Sequence, residues 1–382
     1  MDWSCTPLPE TILSIVATAA HSGAHPPVTV DTIQHLNHAR ELFRTHGARG
    51  EPTPIEWHRK LPLLATGYDG DWWTITGERV ATFIERGSGT WSANGLRFLV
   101  QDFHPEANGQ LDDFHTRQRY RLALPPETKL LLNPRFPLLL LGSSEAIIGW
   151  QIGSQQTYRF QDSQGCHVRY PFWTWSPDGE ILTITTYGRQ IHPSSLRETR
   201  LQFWTRDGTL IADHTRNLPY VGTWHWRPDS RIVISCHQTH LCWWDRAGNL
   251  LAAHTIADRG VGSYHADQYV AWHPSGQMIA VLGDREFLLF DAGGAMLAAY
   301  PLPLGCSGSC LVWHPTGTML SVGDWASCIH TWAADGTLLH SLQTWERLSS
   351  FRVPFMLAWS ADGSCLAVSS RDCRVYLYTL RP

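Results

Sequence analysis

The chain has almost no lysine: of its 30 basic residues only Lys60 and Lys129 carry an ammonium group, and nowhere do Lys and Arg cluster into a stripe that could track a phosphate backbone. Nucleic acid is therefore not an expected partner. No function is read from the arginine bias, since the guanidinium groups are not gathered into one recognition surface. The apolar stretch from Ile12 to Ala20 is too short to span a bilayer. It follows Asp2 and Glu10 and no Lys or Arg, so the positive start of a secretory signal is missing too. Paired Cys-x-x-Cys spacing is lacking among the nine cysteines, and an odd number scattered over a long chain fits reduced thiols. Those two readings together place the protein in the cytoplasm.

Signatures of catalysis are missing as well. No Gly-x-Ser-x-Gly elbow, His-Glu-x-x-His helix or phosphate-cradling glycine loop occurs in a usable context. No catalytic residue and no cofactor is expected. Cys306 and Cys310 flank Ser307-Gly-Ser309, which reads as a turn between repeats rather than as the surroundings of a nucleophile.

What the sequence does have is tryptophan, 19 in 382 residues, with 43% hydrophobic and 17% charged residues overall. That balance is globular. Met356-Leu-Ala-Trp359-Ser-Ala-Asp-Gly363 is followed by Cys365-Leu-Ala-Val-Ser-Ser370 and Arg374-Val-Tyr-Leu-Tyr378, three short strand patterns separated by turn residues. The order recurs from Leu311 to Gly317, Met319 to Val322 and Ile329 to Trp332, with a fourth strand from Leu338 to Leu342. Earlier copies carry Trp272, Trp226 and Trp175, so from Trp175 to Trp359 the anchors are spaced by 51, 46, 41 and 46 residues. Four strands at a period of 40 to 50 residues make a propeller blade. One such sheet exposes two apolar faces that only neighbouring sheets can cover, and an indole near the end of each first strand fills the gap.

These copies resemble the WD-repeat family, whose blades carry a Trp-Ser-Pro-Asp-Gly-like turn after the first strand and a Trp-Asp pair ending the third. The resemblance covers residues 172–382 well. Its Trp-Asp pair survives as Trp244-Asp245, with Trp204-Thr205, Phe290-Asp291 and Trp332-Ala333 in the equivalent slots. Degenerate copies around Trp57, Trp91 and Asn133-Pro134 raise the anchors to eight. The fold expected is an all-β, single propeller of eight blades with four antiparallel strands each, nine or seven being the alternatives, closed by an N-terminal strand. Residues 1–54 form the N-terminal segment and 55–382 the blades.

The last copy ends after a third strand, and an unpaired edge invites aggregation. Arg40 to Thr45 is the expected fourth strand, preceded by a third from Ile33 to Leu36. The competing reading is a helix from about Thr32 to His46 with Thr11 to Thr18 as the closing strand. A nine-bladed ring would follow if Trp3-Ser-Cys opened a complete repeat.

In this family the loops joining second to third strands and successive blades gather on one face, where ligands sit. The partner-binding residues expected there are Arg189, His192, His237, His240, His265, Asp267, Arg285, Trp325, Trp345, Arg347 and Arg371. Asp324 lies on a second-to-third-strand loop and Cys306 on a loop between blades, two sets expected to meet on the same rim. Excursions from Asp102 to Asp113 and from Tyr187 to Arg200 are further expected contacts. His237, His240 and His265, with Asp267, are the weak candidates for a metal site. A pair three apart in an extended loop lacks the fixed geometry of a helical pair, so solvated loop histidines are the simpler reading and no metal is expected. His58, His273 and His314 each follow an anchor tryptophan, in slots that elsewhere hold Ser176, Arg227 and Ser360, which points to a repeated turn-capping group. The resulting expectation is a non-catalytic scaffold for a protein or peptide. The alternatives are a ligand- or metal-binding propeller enzyme using the channel mouth and a structural subunit of a larger complex.

Overall fold

The computed structural model describes residues 3–21, 36–44, 55–66, 71–81, 87–102, 108–124, 128–143, 146–160, 172–190, 196–219, 222–237, 240–256, 269–283, 285–343, 354–370 and 374–380. Among them the strands form eight antiparallel sheets. The fold is an all-β propeller of the WD-repeat type, with eight blades of four antiparallel strands. It divides into two compact units, residues 125–299 and residues 1–124 with 300–382.

Each blade reads out its sequence in the same way. The second strand is central and covered on both faces, so Leu138–Gly142, Met319–Asp324 and Cys365–Ser370 are buried throughout and read as unbroken runs rather than alternating ones. The fourth strand is an edge with one wet face, and Leu250–Thr255 accordingly alternates in exposure. The third strand turns into the fourth through a bulge, where the register slips by one residue at Trp73, Trp204, Trp244 and Trp332. The aspartate of the Trp-Asp pair serves this turn: Asp245 Oδ1 accepts the Ala247 and Asn249 amides at 2.9 and 2.8 Å, and Asp291 does the same for Gly293 and Ala295. Where Ala333 stands in that slot, Asp335 Oδ1 takes the Thr337 amide instead, at 2.9 Å.

The second sheet departs from this pattern. Asp112, fully buried, occupies the position that an aromatic residue such as Trp244 or Phe290 holds in later blades, and Arg119 grips it through two bonds of 2.8 Å. Its neighbour Asp113 pairs with Arg97 at 2.7 Å.

The N-terminal residues add three pieces. Leu36–Arg44 pairs antiparallel with Arg374–Leu380 and is the fourth strand of the last sheet, so the expected strand at Arg40 is present and runs four residues further back. A helix from Thr32 to His46 is thereby excluded, while Ile33 and its neighbours before Leu36 lie outside the described residues. Thr11 to Thr18 is not a strand. It lies within a helix, Glu10–His21, whose Ile12, Ile15, Val16 and Ala19 recur at helical spacing and pack on Leu63, Trp72, Trp91 and Phe98 of the first two sheets. Trp3–Pro7 opens no ninth repeat: it adds a fifth strand beside Gln118–Ala123 and covers that edge. No described helix is long and apolar enough to cross a membrane.

Candidate functional site

The two expected excursions are largely regular structure. The third strand of the second sheet begins at Asn108, so most of the stretch to Asp113 is ladder, with 103–107 outside the described residues. Ile181–Gln190 and Leu196–Thr205 form one long ribbon, and Arg189 lies on it. His237 and His240 face one another as the last pair of a hairpin ladder. Arg285 is exposed immediately before the strand Glu286–Asp291. His192, His265, Asp267, Trp345, Arg347 and Arg371 lie outside the described residues.

Trp325 is the expected site residue with the most defined setting. It stands 41% exposed, yet its backbone amide donates to Ser307 O at 2.8 Å and its indole N–H to Gly308 O at 3.0 Å. The ring is thus fixed against the segment entering the seventh sheet while offering a face to solvent.

Beside it the same segment and sheet assemble a polar cluster. Asp324 ends the second strand of the seventh sheet, Cys306 precedes the first, and His330 lies mid-way along the third. One donor atom from each falls within 4.8 Å of the others. Asp324 Oδ2 is 3.0 Å from His330 Nε2, Asp324 Oδ1 accepts the Cys328 amide at 2.7 Å, and His330 Nδ1 is 2.8 Å from Ser341 Oγ. Asp324 and His330 are buried and Cys306 is half-buried. Burial pushes the Asp324 carboxyl up, but hydrogen bonds from His330, the Cys306 thiol and the Cys328 amide outweigh it and hold the group below the ordinary carboxylate range. Sequence reasoning put Cys306 and Asp324 on converging loops and overlooked His330. The available signal was its place two residues before Trp332, on the same face of a strand.

The opposite ends of the sheets are latched by the turn-capping slot. His58 Nδ1 accepts the Lys60 and Leu61 amides at 3.0 and 2.9 Å, as a turn cap should, and its Nε2–H donates to Gly95 O in the next blade at 3.1 Å. His314 repeats this, reaching Gly363 O at 3.1 Å, and Asn133 does so toward Gly179 O at 2.8 Å. Gly363 has φ +73°, and a Cβ there would come within 2.2 Å of the His314 ring. His273 caps its own turn through Ser275.

Burial lowers the pKa of both His58 and His314, and the acceptor role of His58 Nδ1 favours the neutral ring in the same sense. The unfolded chain therefore takes up protons before the folded one does, and stability is lost as pH falls from about 6.5 toward the depressed folded values. Thermal melts between neutrality and mildly acid pH should show this fall. It should be flatter in His314→Asn, the non-titrating solution that Asn133 already illustrates; an equal slope would exclude the latch as its source.

No protein-family model matches the sequence, and no curated protein matches it. Solved structures do. Chaetomium thermophilum Sqt1, crystallised bound to the N-terminus of the ribosomal protein L10, superposes with a TM-score of 0.64 at 13% identity, over 88% of this chain and 98% of that one. The C-terminal WD40 domain of Sif2 gives 0.64 at 12% identity, over 90% and 99%. Identity this low carries the fold and nothing finer.

Proposed function

From a chain that is a WD-repeat-type β-propeller, we propose a non-catalytic interaction scaffold that binds a protein or peptide through the loops around Trp325. The observation that carries this reading is the indole itself, exposed yet anchored by its N–H on Gly308 O while the residue's own amide bonds Ser307 O, because a large rigid aromatic loses little entropy when a partner covers it. Cys306 and Asp324, on the segments that flank Trp325, belong to the same region. The Sqt1 complex offers a precedent for a peptide segment on this fold. The odd cysteine count supports a cytoplasmic setting, and the lack of basic runs a partner other than nucleic acid.

The full chain used as bait in a lysate should recover a stoichiometric partner, and Trp325→Ala should weaken its binding by at least about 30-fold, the loss expected of a hot-spot aromatic. Folding is not at stake at so exposed a position. Recovery of the same partner with undiminished affinity by the variant would move the interface elsewhere, and no partner under several growth conditions would remove the scaffold reading.

A structural-subunit reading has its own support in the outer strands. Leu210 with Ile211, Leu250 with Leu251, and Met296 with Leu297 are exposed pairs opening the fourth strands of successive sheets in the 125–299 unit. A native mass equal to one chain in isolation and in lysate fractions would exclude it.

A further inference from the structure

We propose that Cys306, Asp324 and His330 form a binding site for Zn²⁺ or a similar borderline divalent cation, independent of whatever partner the loops take. The donor set is mixed in the way such ions favour, one sulfur, one oxygen and one imidazole nitrogen. A thiolate and a carboxylate with a neutral imidazole also neutralise a dication, so the buried carboxylate acquires a full counter-charge.

The geometry is close to what a tetrahedral ion needs. With metal-to-donor lengths of about 2.0 to 2.3 Å, tetrahedral donors sit roughly 3.3 to 3.6 Å apart. His330 Nε2 and Asp324 Oδ2 stand at 3.0 Å, and all three donors fall within 4.8 Å of one another, so loading requires shifts of tenths of an ångström in the first pair. The outer support is in place. A ligating histidine donates its other ring N–H to a neighbour, and Ser341 Oγ lies 2.8 Å from His330 Nδ1, ready to accept it. Asp324 is likewise held by the Cys328 amide on its other oxygen. Cys306 is the half-buried member, so the fourth position opens on its side, to water or to a side chain of a partner. The bound ion would tie the segment before the seventh sheet, and with it Trp325, to that sheet's inner strands.

The full chain, stripped with a chelator and titrated with cobalt(II) and then zinc, should take up about one equivalent. Cobalt should give a thiolate charge-transfer absorption together with tetrahedral ligand-field bands, and zinc should displace it. Cys306→Ser should lose the charge-transfer band, and His330→Gln the tight binding. Ser341→Ala, on the outer strand and without risk to the core, should lower affinity roughly 10- to 100-fold. Uptake well below one equivalent by the unaltered chain overturns the site. So does a thiolate band that survives Cys306→Ser, or an unchanged affinity in Ser341→Ala.

Discussion

Trp72→Ala should cost about 3 to 5 kcal/mol of stability, the range for emptying a large buried aromatic position. Trp72 is fully buried, with ring centroids of Trp91, Phe98 and Phe114 at 4.7, 5.1 and 5.9 Å. The cavity cannot close by local collapse, because its walls belong to two sheets and to the helix that carries Ile12. The helix should therefore loosen with the sheet, and protection of its amides from hydrogen exchange should fall by the same free energy. Denaturant unfolding of the full chain gives the check, with Trp325→Ala, which loses one hydrogen bond and part of its cover, expected to cost about 1 kcal/mol. A loss at Trp72 no larger than at Trp325 would mean that the indoles do not wedge the sheets together.

That wedge is the part of the architecture most visible in the sequence. Trp57, Trp91, Trp175, Trp226, Trp313 and Trp359 are all buried, and the indole N–H groups of Trp91, Trp175, Trp226 and Trp359 have no hydrogen-bond partner. Residues that fill the same volume in each blade recur at the period of that volume, which is why seven tryptophan anchors, with Asn133-Pro134 in the remaining slot, counted the blades. The N-terminal region was harder to read because no repeat constrains it. Ile12, Ile15, Val16 and Ala19 form a helical stripe, yet the same apolar run serves equally as a strand until something is known of the surface it must cover. The stretch from Tyr187 to Arg200 read as a loop because its sequence is mostly polar and lacks an alternating apolar pattern. The Cys306, Asp324 and His330 group was legible only in pieces. Cys306 precedes the first strand, Asp324 closes the second and His330 sits inside the third, and their meeting is set by the register Val322 to His330, which no local pattern specifies.

Asp113→Ala is the second large effect, again about 3 to 5 kcal/mol, for a reason that has little to do with attraction between the charges. Asp113 and Arg97 have side chains only 2% and 7% exposed and meet at 2.7 Å across neighbouring strands. Removing the carboxylate leaves the guanidinium buried without its anion. It also frees the His115 and Thr116 amides, which Asp113 Oδ1 accepts at 2.9 and 3.1 Å in the turn to the fourth strand. Later blades show that the pair is not needed for the fold: the residues matching Arg97 are Ile181 and Ile232, opposite Thr205 and Asp245. Arg97→Ile together with Asp113→Thr, the combination found at Ile181 and Thr205, should then recover most of what Asp113→Ala loses, since it removes both charges and restores a hydroxyl cap like that of Thr205 for Thr209. Denaturant midpoints of the single and double variants decide the matter. A double variant as unstable as the single would show that the second blade depends on its ion pair for more than charge balance, and that the sequence departs from the repeat there for a purpose.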